Sequence, residues 1–127
     1  MSRKEVASSD APAAIGPYSQ AIEVDGFVFC SGQLGLDPLT GALLEGIDDQ
    51  TERALLNLEG VLKGAGLSMA DVVKTNIFLV NLSHFTQVNA IYSQHIVEPA
   101  PARSTVQVAA LPREALIEIE AIARRSS

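Results

Sequence analysis

Positive charge is scarce in this chain: nine Lys and Arg stand against fifteen Asp and Glu, for a net charge of −6. A broad phosphate-binding surface needs clustered Lys and Arg, so this balance argues against a dedicated nucleic-acid binder, though not against a local basic patch. Cysteine is nearly absent too. Cys30 stands alone, which excludes an internal disulfide and the small secreted scaffolds that depend on them. Flanked by Phe29 and a strand end, it reads as a small core residue rather than a reactive thiol. The opening Met-Ser-Arg-Lys-Glu has no apolar core of the signal-peptide kind, and no apolar run nears membrane-spanning length. A soluble cytoplasmic protein is the expectation. The chain also lacks a Walker loop, a dinucleotide fingerprint and a G-x-S-x-G elbow. Gly32-Gln33-Leu34-Gly35 has the GxxG form of a nucleic-acid clamp, but no Lys or Arg flanks it. His84 and His95, about 16 Å apart on one helix face, are too distant to share a metal, and both read as surface residues. No metal and no cofactor are expected.

What is present describes one α+β domain over residues 1–127. Ala21 to Val24 and Phe27 to Cys30 form a hairpin across Asp25-Gly26, a pair suited to the positive φ angles of a two-residue turn. Ser31-Gly32-Gln33 ends the second strand, and Asp37-Pro38-Leu39-Thr40-Gly41 marks another turn. Asp48 or Asp49 caps a helix with an apolar stripe of Ala54, Leu55, Leu58, Val61, Leu62 and Ala65, closed by Gly64 and Gly66. Val72 to Val80 is a long β-branched strand. Ser83 caps a second helix running to about Ile96, with Phe85, Val88, Ile91 and Tyr92 inward and Pro99 and Pro101 beyond its end. Two last strands follow, joined by a loop containing Pro112. The order β-β-α-β-α-β-β places both helices on one face of a mixed sheet and leaves the other face bare. With only 19% charged residues against 47% apolar, self-association is the simplest cover for that face.

The last two strands carry the chemistry. Arg103, Thr105 and Gln107 alternate onto one face, away from Ala102, Ser104, Val106 and Val108. In the final strand Glu118 and Glu120 share a face, opposite Ile117, Ile119, Ala121 and Ala123. A cation on one strand and carboxylates on its sequence neighbour predict a polar cleft. Arginine's planar fork suits a small carboxylate, and an ionised Glu can orient a water or relay a proton. The spacing alone fits three solvated surface charges equally well.

Five blocks of residues go further than spacing: Ile15-Gly16-Pro17-Tyr18-Ser19-Gln20-Ala21, Cys30-Ser31-Gly32-Gln33, Val88-Asn89-Ala90-Ile91-Tyr92, Pro101-Ala102-Arg103-Ser104 and Ile117-Glu118-Ile119-Glu120-Ala121. In order and spacing, over almost the whole chain, they resemble the RidA (YjgF) family of reactive-intermediate deaminases. The resemblance implies a chorismate-mutase-like α+β fold and a homotrimer with sites between subunits. It also implies hydrolysis of 2-imino acids to 2-oxo acids and ammonia, with no cofactor. Carried across, it gives Arg103 the substrate carboxylate, Glu118 the attacking water or its protons, and Tyr18 a place in the cleft wall. Ser31, Gly32 and Asn89 match positions that shape the site. Thr105 stands where many bacterial members have cysteine, and Ala100 replaces an aromatic residue common there, so pocket size and substrate preference depart from the family pattern. Two rivals remain: an endoribonuclease or translation inhibitor, an activity ascribed to some relatives, and a non-catalytic small-molecule binder or chaperone on the same trimer.

Overall fold

The computed structural model describes residues 2–126. Six strands form one mixed sheet: β1 (Lys4–Val6), β2 (Ala21–Val24), β3 (Phe27–Leu34), β4 (Val72–Leu79), β5 (Ala102–Gln107) and β6 (Ile117–Arg124). They lie in the order β1-β2-β3-β6-β4-β5, antiparallel except for the parallel pair β4–β5. Helices α1 (Ile47–Gly64) and α2 (Phe85–Ser93) cover one face. The α2 crossover supplies the long connection that a parallel pair requires.

One core holds the layers together. Leu55, Leu58, Val61 and Leu62 of α1 pack with Val28, Ile77, Leu79, Ile117 and Ile119 of the sheet, all fully buried. Truncating any of these large side chains to Ala would cost about 2–5 kcal/mol through lost transfer energy and a cavity. The opposite face is bare and mixed: Phe27, Phe29 and Val106 are exposed on it, and Lys74, Asn76, Glu118 and Glu120 share it. No helix among the described residues is long and apolar enough to cross a membrane.

Three boundaries differ from the sequence reading. Neither Asp48 nor Asp49 caps α1: Gly46 does, and both aspartates fall in the first turn, where the helix dipole favours negative charge. Ser83 does not cap α2 and the helix stops at Ser93: Asn81 instead accepts from the Ser83 N–H, over a single 3₁₀ turn that leads into α2. Ser31-Gly32-Gln33 does not end β3. The strand runs on to Leu34 through a bulge, where the pairing with β6 slips between Cys30 and Gln33. A bulge lets a strand re-aim its side chains without ending the ladder.

Candidate active site

The ladder pairings decide which charged groups can meet. Arg103 pairs with Thr75 of β4, and Thr75 pairs with Ala121 of β6, so Arg103 shares the helix-covered face with two buried residues. Glu118 pairs with Phe78 of β4 and Leu34 of β3. Thr75 and Phe78 are an odd number of residues apart on one strand and point to opposite faces. Arg103 and Glu118 therefore lie on opposite faces, with β4 between their strands. The predicted cleft between β5 and β6 of a single chain is corrected by this order: strands adjacent in sequence are not adjacent in the sheet.

The arginine half is built on the edge strand and α2. Half-buried Arg103 sits over two rings, with its guanidinium carbon 4.9 Å from the Tyr92 centroid and 5.6 Å from that of Phe85. No carboxylate among the described residues lies within ion-pair distance of it. Asn89, also half-buried, stands four residues after Phe85 and three before Tyr92, on the same helical stripe. Thr105 follows Arg103 on the same face, and its hydroxyl is buried with no hydrogen-bond partner among the described residues. An unpaired cation beside an orphaned hydroxyl leaves donors free for an anion.

The glutamate half is built on the bulge. Glu118 lines a cavity of about 270 Å³ together with Tyr18, Gly32, Leu34, Pro112 and Arg113. Burial first, and then the charge of Glu120, hold its carboxyl above the ordinary glutamate range. Glu120 itself accepts a hydrogen bond from the Asn76 amide at 2.9 Å. Gly32 makes the closest approach: a Cβ there would fall 2.7 Å from the Glu118 carboxyl carbon. Ser31 does not line the cavity. Its hydroxyl donates to the Ser19 carbonyl at 2.6 Å and so braces the loop carrying Tyr18. Tyr18 is 55% exposed, on the turn after Gly16, and its hydroxyl accepts from the Ile15 N–H at 3.4 Å.

Several buried polar residues that the sequence reading passed over hold the walls in place. Gln20 accepts from the Ser8 N–H and donates to the Pro12 carbonyl at 2.7 Å, and Asn57 donates to the carbonyls of Leu34 and Leu36. Two histidine readings are corrected. His84 is half-buried, with an unpartnered Nδ1. His95 is only 10% exposed, clamped between Glu59 at 2.7 Å and Glu52 at 2.9 Å. Burial pulls its pKa down, but the two carboxylates outweigh it and raise it overall. Cys30 is buried as expected, and desolvation pushes its thiol up to about 12. No group of three or more His, Cys, Asp or Glu among the described residues is arranged to hold a metal.

A single mixed sheet with both helices on one face defines a small α+β protein. Residues 8–125 match the family described as Endoribonuclease L-PSP. This chain belongs to that family, the RidA (YjgF) family its motifs resemble. It is 54% identical over 123 residues to Reactive Intermediate Deaminase A, chloroplastic, of Arabidopsis thaliana, covering 95% of this chain and 66% of that protein. It is 48% identical to the mouse 2-iminobutanoate/2-iminopropanoate deaminase, covering 95% of this chain and 90% of that one. The crystal structure of RidA from an Antarctic Psychrobacter superposes with a TM-score of 0.93 at 45% identity, over 95% of this chain and 98% of that one.

Proposed function

We propose that this protein hydrolyses reactive 2-imino acids, such as 2-iminopropanoate and 2-iminobutanoate, to 2-oxo acids and ammonia, at sites shared between copies in a homotrimer. One observation carries the site assignment: an arginine and a half-buried glutamate, neither of them in an ion pair among the described residues, lie on opposite faces of one sheet. A second copy docked on the bare face brings the two halves together. The names of the Arabidopsis and mouse relatives support the reaction.

In this scheme the Arg103 fork grips the substrate carboxylate, and Asn89 and the Thr105 hydroxyl offer further hydrogen bonds. Glu118 of a neighbouring copy accepts a proton from water as the water oxygen adds to the imine carbon and the C=N pair moves to nitrogen. Glu118 then returns that proton to the nitrogen, giving a carbinolamine; its hydroxyl proton passes through Glu118 to the same nitrogen as the C–N bond breaks, so ammonia leaves with the C–N pair and the C=O bond forms. Burial raises the Glu118 pKa and so makes its carboxylate a stronger proton acceptor than an ordinary glutamate. Gly32 leaves room for the carboxylate, while Tyr18, held through Ser31 and Ser19, closes the wall. The imine carbon is already electrophilic, so orientation supplies most of the gain, and the scheme uses no metal or prosthetic group. The cytoplasm is the proposed compartment, on the free thiol of Cys30.

The test is competition for the imine. A dehydratase or amino-acid oxidase generates it, semicarbazide traps it, and the wild-type protein is expected to suppress trapping. Arg103→Ala is expected to lose roughly 10²–10⁴-fold in kcat/KM while staying folded, and Arg103→Lys to lose at least about tenfold. Trapping unaffected by wild-type protein overturns the reading. Binding of 2-oxobutanoate without faster hydrolysis would mark a binder. RNA cleavage by purified protein, lost in Arg103→Ala, would mark the endoribonuclease that the family description suggests.

A further inference from the structure

We infer that Tyr92, backed by Thr75, is the positioning residue for Arg103: it holds the guanidinium in place without consuming any of its donors. The inference rests on the reading of Arg103 as the carboxylate anchor. An arginine that must bind an incoming anion faces a conflict. A resident carboxylate would fix it but would occupy the same N–H groups, whereas no partner at all would leave a long side chain free to sample many rotamers. An aromatic face resolves this. It attracts the cation through the ring quadrupole and leaves the in-plane N–H edges open.

The geometry is that of a closed loop. The guanidinium carbon lies 4.9 Å from the Tyr92 centroid. Tyr92 is 6% exposed, and its hydroxyl is hydrogen-bonded at 2.7 Å to that of fully buried Thr75. Thr75 is in turn the ladder partner of Arg103. The ring is thus tied to the β4 position lying directly beside the backbone of the arginine it supports. Phe85 adds a second ring at 5.6 Å, but it is 38% exposed and has no such tie.

The test reads carboxylate affinity. Calorimetry with 2-oxobutanoate is run on wild type, Tyr92→Phe, Tyr92→Leu, Arg103→Ala and the Tyr92→Leu/Arg103→Ala double variant. Tyr92→Leu is expected to raise Kd roughly 5- to 20-fold, with KM rising in parallel and kcat changing less than about twofold. Tyr92→Phe keeps the ring but cuts its tie to Thr75, so its Kd should fall between those of wild type and Tyr92→Leu. In the Arg103→Ala background, Tyr92→Leu should add nothing. Wild-type affinity in folded Tyr92→Leu overturns the inference, as does an equal loss with and without Arg103. If Arg103→Ala itself leaves the affinity unchanged, the anchor reading fails instead. Should Tyr92→Leu not fold, the wild-type NMR spectrum decides: ring-current upfield shifts of the Arg103 side-chain protons support the stacking, and their absence overturns it.

Discussion

On the helix-covered face of the sheet, Arg103 rests on Phe85 and Tyr92, with no carboxylate among the described residues in ion-pair reach; on the bare face, Glu118 lines a cavity that Arg113 also lines, and is ion-paired to no cation among the described residues. The two regions are built differently. The arginine half relies on rings and an edge strand, which hold a charge that needs no ion pair. The glutamate half relies on a bulge and a glycine, which let a carboxyl sink far enough to lose solvation. In the proposed homotrimer each half would complete the other. Opposite charges that are kept apart within a chain but left unpaired are what a site completed by another copy requires.

The comparison breaks most readily at the charges themselves. Glu118→Gln is expected to match the loss of Arg103→Ala, roughly 10²–10⁴-fold in kcat/KM, yet to leave 2-oxobutanoate affinity within a few-fold, because the proposed scheme has only the arginine half grip the carboxylate. Equal losses of affinity in both variants would erase the distinction between the halves.

Gly32→Ala sharpens the comparison on the glutamate side. The added methyl would meet the Glu118 side chain at 2.7–2.9 Å, and that flexible chain can swing away. Folding should therefore cost less than about 1 kcal/mol, while kcat falls roughly 10- to 100-fold as the carboxyl is displaced. A fully active Gly32→Ala enzyme would mean that the position of Glu118 does not matter.

His95 probes the arginine side with a smaller effect. Its two carboxylate partners tie α1 to the segment just after α2, the helix that carries Phe85, Asn89 and Tyr92. Because the folded pKa is raised, protonation is favoured on folding. The stabilisation is full below the ordinary histidine value and fades as pH rises through the elevated one. The stability gap between wild type and His95→Ala should be larger at pH 6 than at pH 9, measured by urea titration. A gap independent of pH would show that the clamp does not depend on the imidazolium.

Much of each half was legible from local pattern. Alternation gave the correct faces of β5 and β6 because a strand's period is fixed by its pleat. The Arg103–Glu118 cleft within one chain was misread because sequence order says nothing about β4 inserting between β5 and β6. Ser31-Gly32-Gln33 looked like a strand end because a glycine in a bulge and a glycine in a turn present the same local signal. His95 and the buried amides of Gln20 and Asn57 carry no local signature at all, since their partners lie far away in sequence. The hydroxyl link between Tyr92 and Thr75 is equally invisible, though the apolar stripe did place Tyr92 inward.

The most direct measurement mixes two dead chains. Arg103→Ala and Glu118→Gln variants, each inactive alone, are co-expressed with different tags, and the mixed assemblies are purified and assayed for imine hydrolysis. An interface that takes its arginine from the Glu118→Gln chain and its glutamate from the Arg103→Ala chain is intact. Each purified mixed trimer has one such interface in three, so it should recover about a third of wild-type activity. Mixed assemblies as inactive as their parents would contradict a site shared between copies.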